Sequence, residues 1–316
     1  MSVETAVSAT TAPPFVLARA AVEVVERVSP TFVRITFGGD SLADFGTPGR
    51  TFDQRIKLIF PGESGVLPDV DGTDSDWYQA WLAVPEAERG SMRTYSIRRL
   101  LVEEDRTRLV VDFVLHIAPG ASGPASRWAN AAAPGDELLI LGPRRDRGDW
   151  GGIEYRPGDA RTVLLAGDET AAPAIARILE DVGREVRGVA FIEVPEGGDI
   201  LRIDAPEGVE VRWLPRDGKA HGEALIPAVL EYLGDAATDV TIVDVDSEDP
   251  LWETPDYSGL GEEVSDAENH ADRYFWIAGE SGVVTTLRRH LVKDLGIDRT
   301  QVAFMGYWRH GVAMRG

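Results

Sequence analysis

The hydrophobic pattern changes character near residue 150, and the change restricts this chain to a two-part architecture. Before Trp150, apolar residues recur with a period of two in Val16–Val28, Thr31–Gly38, Arg55–Pro61, Thr94–Leu100, Arg108–His116 and Glu137–Leu141. That period belongs to half-buried strands, and Gly, Pro and Asp clusters separate the segments. Six strands at this spacing predict a small closed antiparallel β-barrel. After Trp150, apolar strand segments (162–166, 186–194, 209–214, 239–245, 273–278, 301–308) alternate with helical ones (170–182, 223–233, 281–295). This alternation predicts a Rossmann-like α/β sheet. The Gly/Pro-rich stretch 151–159 reads as a linker, so the expected domains are 15–150 and 160–316, in keeping with a length of 316 residues. Residues 1–14 have neither a basic nor an apolar block and read as a frayed tail, not a signal peptide.

Two smaller expectations follow from local composition. Residues 69–85 carry Trp77, Tyr78 and Trp81 and read as a surface insertion with a short helix. Residues 250–269 are acidic and turn-rich and read as a long loop. In the last helical segment, Ser281 is the expected N-cap, with Val283, Val284, Leu287 and Leu291 forming the apolar face.

Composition excludes several classes of function. There is no cysteine, so disulfides, a thiolate nucleophile and a cysteine-ligated iron–sulfur cluster are ruled out; a reducing cytoplasm suits such a chain. A net charge of −21 argues against nucleic acid and anionic lipid as partners. No apolar run is long enough to span a membrane. The five histidines (His116, His221, His270, His290 and His310) have no metal-site spacing. From Ala220 to Asp272 there are fifteen acidic residues and no Lys or Arg. This is a solvated acidic face or a docking patch for a basic partner. Either way its field repels anions, so an anion-binding cleft is expected to be locally basic and elsewhere.

Three motifs carry chemistry. Arg93-Thr94-Tyr95-Ser96-Ile97-Arg98 places a cation and an aromatic ring on one face of a strand and hydroxyls on the other. The guanidinium suits a phosphate, and the phenol and hydroxyl suit a flavin ring; an amphipathic strand with an exposed arginine has the same pattern. Strand 112–116, ending in His116, leads into Gly120-Ala121-Ser122-Gly123-Pro124-Ala125-Ser126-Arg127-Trp128-Ala129. Small residues and a Pro at the start of a helix form a ready pyrophosphate site. A loop without ligand is the alternative. Gly167-Asp168-Glu169-Thr170-Ala171-Ala172-Pro173-Ala174 follows an apolar strand and opens a helix, as at a nucleotide site, without the G-x-G-x-x-G fingerprint. Asp168 and Thr170 are equally well read as helix caps.

In this order the motifs resemble the siderophore-interacting protein family, flavin-dependent ferric-siderophore reductases of ferredoxin-reductase-like fold. The resemblance runs from about Phe15 to Arg315. It rests on Arg93, Tyr95 and Ser96, on Gly123 to Ala129, and on Gly167 to Ala174. Ala278-Gly279-Glu280, Leu287 to Leu291 and Gly306-Tyr307-Trp308-Arg309 extend it. It implies FAD, with NADPH or NADH as electron donor, a ferric siderophore as acceptor, and a cytoplasmic location. The flavin then lies at the domain junction. Arg93, Tyr95, Ser96, Ile97, Val114, His116, Gly123, Ala125 and Ser126 are implied on the FAD side. Asp168, Glu169, Thr170, Ala171 and Trp308 are implied near the flavin and nicotinamide. Lys57, Arg127 and Arg309 are candidates for the anionic siderophore. Cations between Arg212 and Lys219 suit either a 2′-phosphate or plain surface. The chemistry needs no protein nucleophile or metal-ligand cluster, since flavin converts hydride into single electrons and Fe(II) binds hard oxygen donors less well than Fe(III). The alternatives are a general NAD(P)H:flavin or ferredoxin-type reductase, a reduced ferredoxin as donor, and a non-catalytic siderophore-binding protein.

Overall fold

The structure is a computed structural model that describes residues 12–70, 76–104, 106–117, 122–235, 242, 251–255, 257–258 and 272–312. Its first half is one antiparallel sheet of seven strands: β1 (Phe15–Arg27), β2 (Phe32–Gly38), β3 (Arg55–Phe60), β4 (Ser91–Ser96), β5 (Arg99–Val102), β6 (Thr107–Val114) and β7 (Glu137–Pro143). They lie in the order β4-β3-β7-β1-β2-β6-β5. The sheet curls into a half-barrel around Ile35, Phe37, Ile56, Leu58, Leu109, Val111, Phe113 and Ile140, all buried.

The expected strand 94–100 is instead two strands on opposite edges of this sheet. β4 pairs with β3 and β5 with β6. Ile97 and Arg98 make the corner between them: Ile97 N–H donates to Gln54 O at 2.9 Å and Arg98 N–H to Val110 O at 3.0 Å. The edges are therefore joined through the chain and not by a ladder. Fully buried Ile97 preserves the apolar alternation through the corner, which is why periodicity reads one strand where there are two.

The insertion contains helices α1 (Trp77–Ala83) and α2 (Glu86–Arg89). Trp81 anchors it in a small cluster with Ile59, Leu67, Met92 and Leu139 on the outer face of the sheet. Helix α3 (Pro124–Ala131) begins at Pro124, as expected, and buries Ala125 and Ala129 in the inner core.

The second sheet comprises β8 (Thr162–Gly167), β9 (Arg187–Val194), β10 (Val209–Pro215), β11 (Trp252–Thr254), β12 (Tyr257–Ser258), β13 (Arg273–Glu280) and β14 (Val302–Trp308). In the order β10-β9-β8-β13-β14-β11-β12, the first five are parallel and β11 and β12 add on antiparallel. Helices α4 (Ala172–Asp181), α5 (Leu225–Tyr232) and α6 (Ser281–Arg288) pack on it. β8 is apolar throughout because it is covered on both faces: Val163 and Leu165 enter one core, Leu164 and Ala166 the other. The strand order reverses between β8 and β13, which makes this the topological switch point.

Three local expectations change here. Glu280, not Ser281, caps α6, accepting from Val283 N–H at 3.0 Å, while Ser281 Oγ donates to Trp308 O. Beyond Arg288 that helix widens into a π turn over 289–294. Within 250–269, Trp252–Thr254 and Tyr257–Ser258 form strands; apart from Leu251 and Pro255 the rest of that stretch, and nearly all of 239–245, lies outside the described residues. Among the described residues no helix is long and apolar enough to cross a membrane.

The two halves are fastened by buried polar contacts. Asp181 Oδ2, at the end of α4, accepts from the N–H groups of Thr51 and Phe52 at 2.7 and 2.8 Å; Phe52 adopts a positive φ there. Arg98 makes a bidentate pair with Glu180 at 2.7 and 2.6 Å. Two acidic residues at a helix C-terminus oppose its dipole, and these partners offset that. Asp199 accepts from Ser29 Oγ and Thr31 N–H. Phe32 of β2 is fully buried in the α/β core. Residues 151–159 are docked too, since Asp53 accepts from Glu154 and Tyr155 N–H.

Asp53 also accepts from Trp276 Nε1 at 2.9 Å across the junction. Burial raises its pKa from 3.8 to about 6, against the lowering effect of these hydrogen bonds. A raised folded-state pKa gives a stabilising contribution that is complete below about pH 4 and lost as pH rises through 6. We expect the unfolding free energy of the wild type minus that of Asp53→Asn to fall by about 2 kcal/mol between pH 4 and pH 7. Urea unfolding of both proteins across that range checks it; a constant difference contradicts it.

Candidate flavin and electron-donor site

The barrel's contribution comes from β4, β6 and α3. Pairing of Leu58 with Arg93 and Ile56 with Tyr95 puts these side chains on the inner face. The Tyr95 ring lies 4.7 Å from Phe113 and 6.4 Å from Phe60. Burial pushes its phenol pKa up, so it stays neutral. Ser126 Oγ donates to Val114 O at 3.1 Å and lies 3.3 Å from His116 N–H, tying the start of α3 to the end of β6. Trp128 holds α3 down, stacked on Phe37 and edge-on to Phe60. At the other end the N-cap residue is Gly123, which has no side chain to cap the helix. The first turn is therefore an anchored helix N-terminus with no side-chain cap from its N-cap residue.

Arg93 Nη1 donates to Met92 O at 2.7 Å, and burial lowers its pKa. Lys57 sits on the opposite face of the β3–β4 ribbon and donates to Thr94 Oγ1 at 2.7 Å. Burial, then Arg55, lowers its pKa. Neither Arg93 nor Lys57 has a carboxylate partner among the described residues, although acids outnumber bases 53 to 32. A half-buried cation without a counter-charge is costly, and it is a donor set for an anion. Arg93 and the start of α3 thus fit the pyrophosphate of FAD. Arg127 is exposed and donates to Ser122 O. Arg309 follows β14, and Ser96 and Ile97 lie at the corner into β5.

The α/β half contributes the turn after β8. Asp168 is buried and its carboxylate accepts from Thr170 N–H and Oγ1, Glu280 N–H and Trp308 Nε1 at 2.9, 2.5, 2.7 and 2.8 Å. Burial and then Glu169 raise its pKa. Asp168 closes the turn that precedes α4: its carboxylate takes the Thr170 N–H and hydroxyl and its carbonyl the Ala171 N–H, while the N-cap position itself, Ala171, has no side-chain cap. Glu169 is also buried and takes a bidentate pair from Arg216 at 2.6 and 2.9 Å. Burial alone raises Glu169, but hydrogen bonds from His116, His221 and Arg216 outweigh it and hold the carboxyl far below its usual range.

The two halves meet at His116, whose Nε2 lies 3.4 Å from Glu169 Oε1. Around it, His116, His221 and His310 surround the Trp308 ring at 5.8, 4.7 and 6.5 Å between centroids. Sequence reasoning placed His116, Glu169 and Trp308 but missed His221, His310, Arg216, Glu193 and Glu280. These come from four separate loops and strand ends with no shared spacing. Of the cations from 212 to 219 that suited a 2′-phosphate, the two arginines are paired with carboxylates: Arg212 with Glu210 at 2.8 Å and Arg216 with Glu169. No group of three or more His, Asp or Glu among the described residues is arranged to hold a metal ion.

Two family models match in tandem. Residues 21–147 match the siderophore-interacting FAD-binding domain, and residues 160–311 match the siderophore-interacting protein model. The chain belongs to the siderophore-interacting protein family. A crystal structure of a siderophore utilization protein from T. fusca is 30% identical, covers 96% of this chain and 97% of that one, and superposes with a TM-score of 0.67. The NADPH-dependent ferric-chelate reductase of Escherichia coli is 28% identical over 90% of this chain and 89% of its own length. The ferric vibriobactin reductase ViuB of Vibrio cholerae is 26% identical over 90% and 86%. A ferredoxin reductase of carbazole 1,9a-dioxygenase, at 16% identity and a TM-score of 0.56, shares the fold.

Proposed function

We propose that this member of the siderophore-interacting protein family is an NAD(P)H-dependent, FAD-containing ferric-siderophore reductase. One observation carries the reading. The start of α3 is tied through Ser126 to the end of β6, where His116 meets Glu169 and Trp308 of the α/β half. That arrangement suits a pyrophosphate on one side and a ring system at the junction. Bound FAD supplies the exchange between a hydride and single electrons.

The chain's own residues bind, orient and shield. Arg93 and the amides around Gly123 and Ala125 hold the pyrophosphate. Tyr95, Ser96, Ile97, Val114 and Ser126 line the ring, and His116 is a donor at its edge. Trp308 covers the junction, held by its bond to Asp168, and Thr170 and Ala171 flank it on the nicotinamide side. Lys57, Arg127 and Arg309 are the cations for an anionic ferric chelate. The names of the Escherichia coli and Vibrio cholerae relatives support both the donor class and the acceptor class.

Steady-state reduction with NADPH or NADH, comparing an intact ferric siderophore with a quinone and with oxidised ferredoxin, tests the reading. Preference for the ferric siderophore is expected. Preference for the quinone or ferredoxin assigns the chain to general electron-transfer reductases instead.

A further inference from the structure

At the carboxyl edge of the parallel strands, an acidic residue of this chain stands at the opening of each of the three described helices: in the turn before α4, and at the first amides of α5 and α6. At α4 this residue is Asp168. Its carboxylate takes Thr170 N–H, its carbonyl takes Ala171 and Ala172 N–H at 3.0 Å, and Pro173 has none to offer. At α6, Glu280 takes Val283 N–H at 3.0 Å, and Glu280 N–H itself goes to Asp168. At α5, fully buried Glu193 takes the N–H groups of Gly222, Ala224 and Leu225 at 2.9–3.2 Å. Arg216, which lies between Glu169 and Glu193, has both as partners. In contrast, α3 of the barrel starts after a glycine N-cap, with no acidic cap among the described residues.

The crevice between α4 and α6 is the topological switch point, where a sheet of this order takes the phosphates of a dinucleotide on helix amides. Here a carboxylate already occupies that position. It is packed tightly: Gly279 has a φ of +137°, and a Cβ there would stand 2.6 Å from Asp168 Oδ2. A phosphate brought to this edge finds the amides of Thr170, Ala172, Leu225 and Val283 already bonded and like charges on Asp168, Glu193 and Glu280.

Resting on the reductase reading, we infer that the α/β half does not recognise the phosphates of its electron donor, so donor specificity ends at the dihydronicotinamide ring. Asp168, Glu193 and Glu280 are the residues that set this. Interactions with remote parts of a substrate normally contribute to its turnover. Where those parts are not held, their removal changes little. Nicotinamide mononucleotide in its reduced form, which lacks the adenosine phosphate, is then as good a donor as NADH or NADPH.

The test has a binding arm and a rate arm. Calorimetric titration of the flavin-loaded protein with 2′,5′-ADP and with NADP+ is expected to show no saturable binding up to about millimolar concentration. The kcat/KM values for NADPH, NADH and reduced nicotinamide mononucleotide are expected to agree within about tenfold. Micromolar binding of 2′,5′-ADP, or a preference beyond tenfold for NADPH or NADH, overturns the inference. So does failure of all three donors to reduce a flavin that the ferric chelate still reoxidises after dithionite reduction. Failure of that reoxidation itself counts against the reductase reading, and the calorimetry still decides the phosphate question. In Asp168→Ala the four donors of the carboxylate lose their acceptor. Inorganic phosphate should then raise the melting temperature by about 3 °C or more, with no such rise in the wild type. An equal rise in both proteins contradicts the inference.

Discussion

Glu169→Ala is expected to cost about 3 kcal/mol of unfolding free energy, because breaking a buried ion pair by deleting one partner leaves the other charge uncompensated. Arg216 is the group left behind. It is buried, makes two hydrogen bonds to Glu169 at 2.6 and 2.9 Å, and has Glu193 next at 3.5 Å. That remaining contact keeps the cost toward the lower end of the usual range. Glu169 also lies within 3.4 Å of His116 and His221, so its loss releases two imidazoles that flank Trp308. The effect should appear in both urea and thermal unfolding. A change below about 1 kcal/mol contradicts the picture of Glu169 as the charge that holds Arg216 at the strand ends.

Arg93→Ala is expected to weaken FAD binding by about tenfold to a hundredfold, since a charge-assisted hydrogen bond to an anion contributes about 1.5–3 kcal/mol. The fold should survive. Arg93 donates to Met92 O and has no carboxylate partner among the described residues, so no partner charge is orphaned by its removal. FAD titration into the apoprotein, followed by flavin fluorescence, measures the change directly. An unchanged dissociation constant removes Arg93 from the pyrophosphate site. Arg93→Lys separates charge from geometry, because lysine keeps the charge but loses the bidentate fork.

The sequence was most informative where one period ran unbroken over a whole element. β8, α4 and the apolar face of α6 were all legible because each buries a continuous stripe or two faces. The corner at Ile97 was not, because its buried side chain continues the strand alternation while the backbone changes partner from β3 to β6. The Glu280 cap was hidden for a similar reason: it closes β13 and opens α6 at once, and Ser281 is the better cap by composition.

The site divides along the same line. Arg93, Tyr95, Ser126, Asp168 and Glu169 sit in contiguous motifs whose residue types state their chemistry. His221, His310, Arg216 and Glu193 reach the junction from separate loops and strand ends, and only the folding of the second sheet brings them to Trp308 and Glu169. The acidic stretch from Ala220 onward gave no hint that it begins with a histidine at this junction. Arg93 and Lys57 stand on opposite faces of the β3–β4 ribbon, and the carboxyl edge of the second sheet carries its own carboxylates.

The most direct test of the reductase account is an anaerobic visible-absorption titration of the purified, FAD-loaded protein, first with NADPH or NADH and then with a ferric siderophore. The account predicts that the flavin bands bleach with the donor and recover with the chelate as Fe(II) appears. Bands that bleach but do not recover with the chelate contradict it, and so does a protein that shows no flavin bands after addition of FAD.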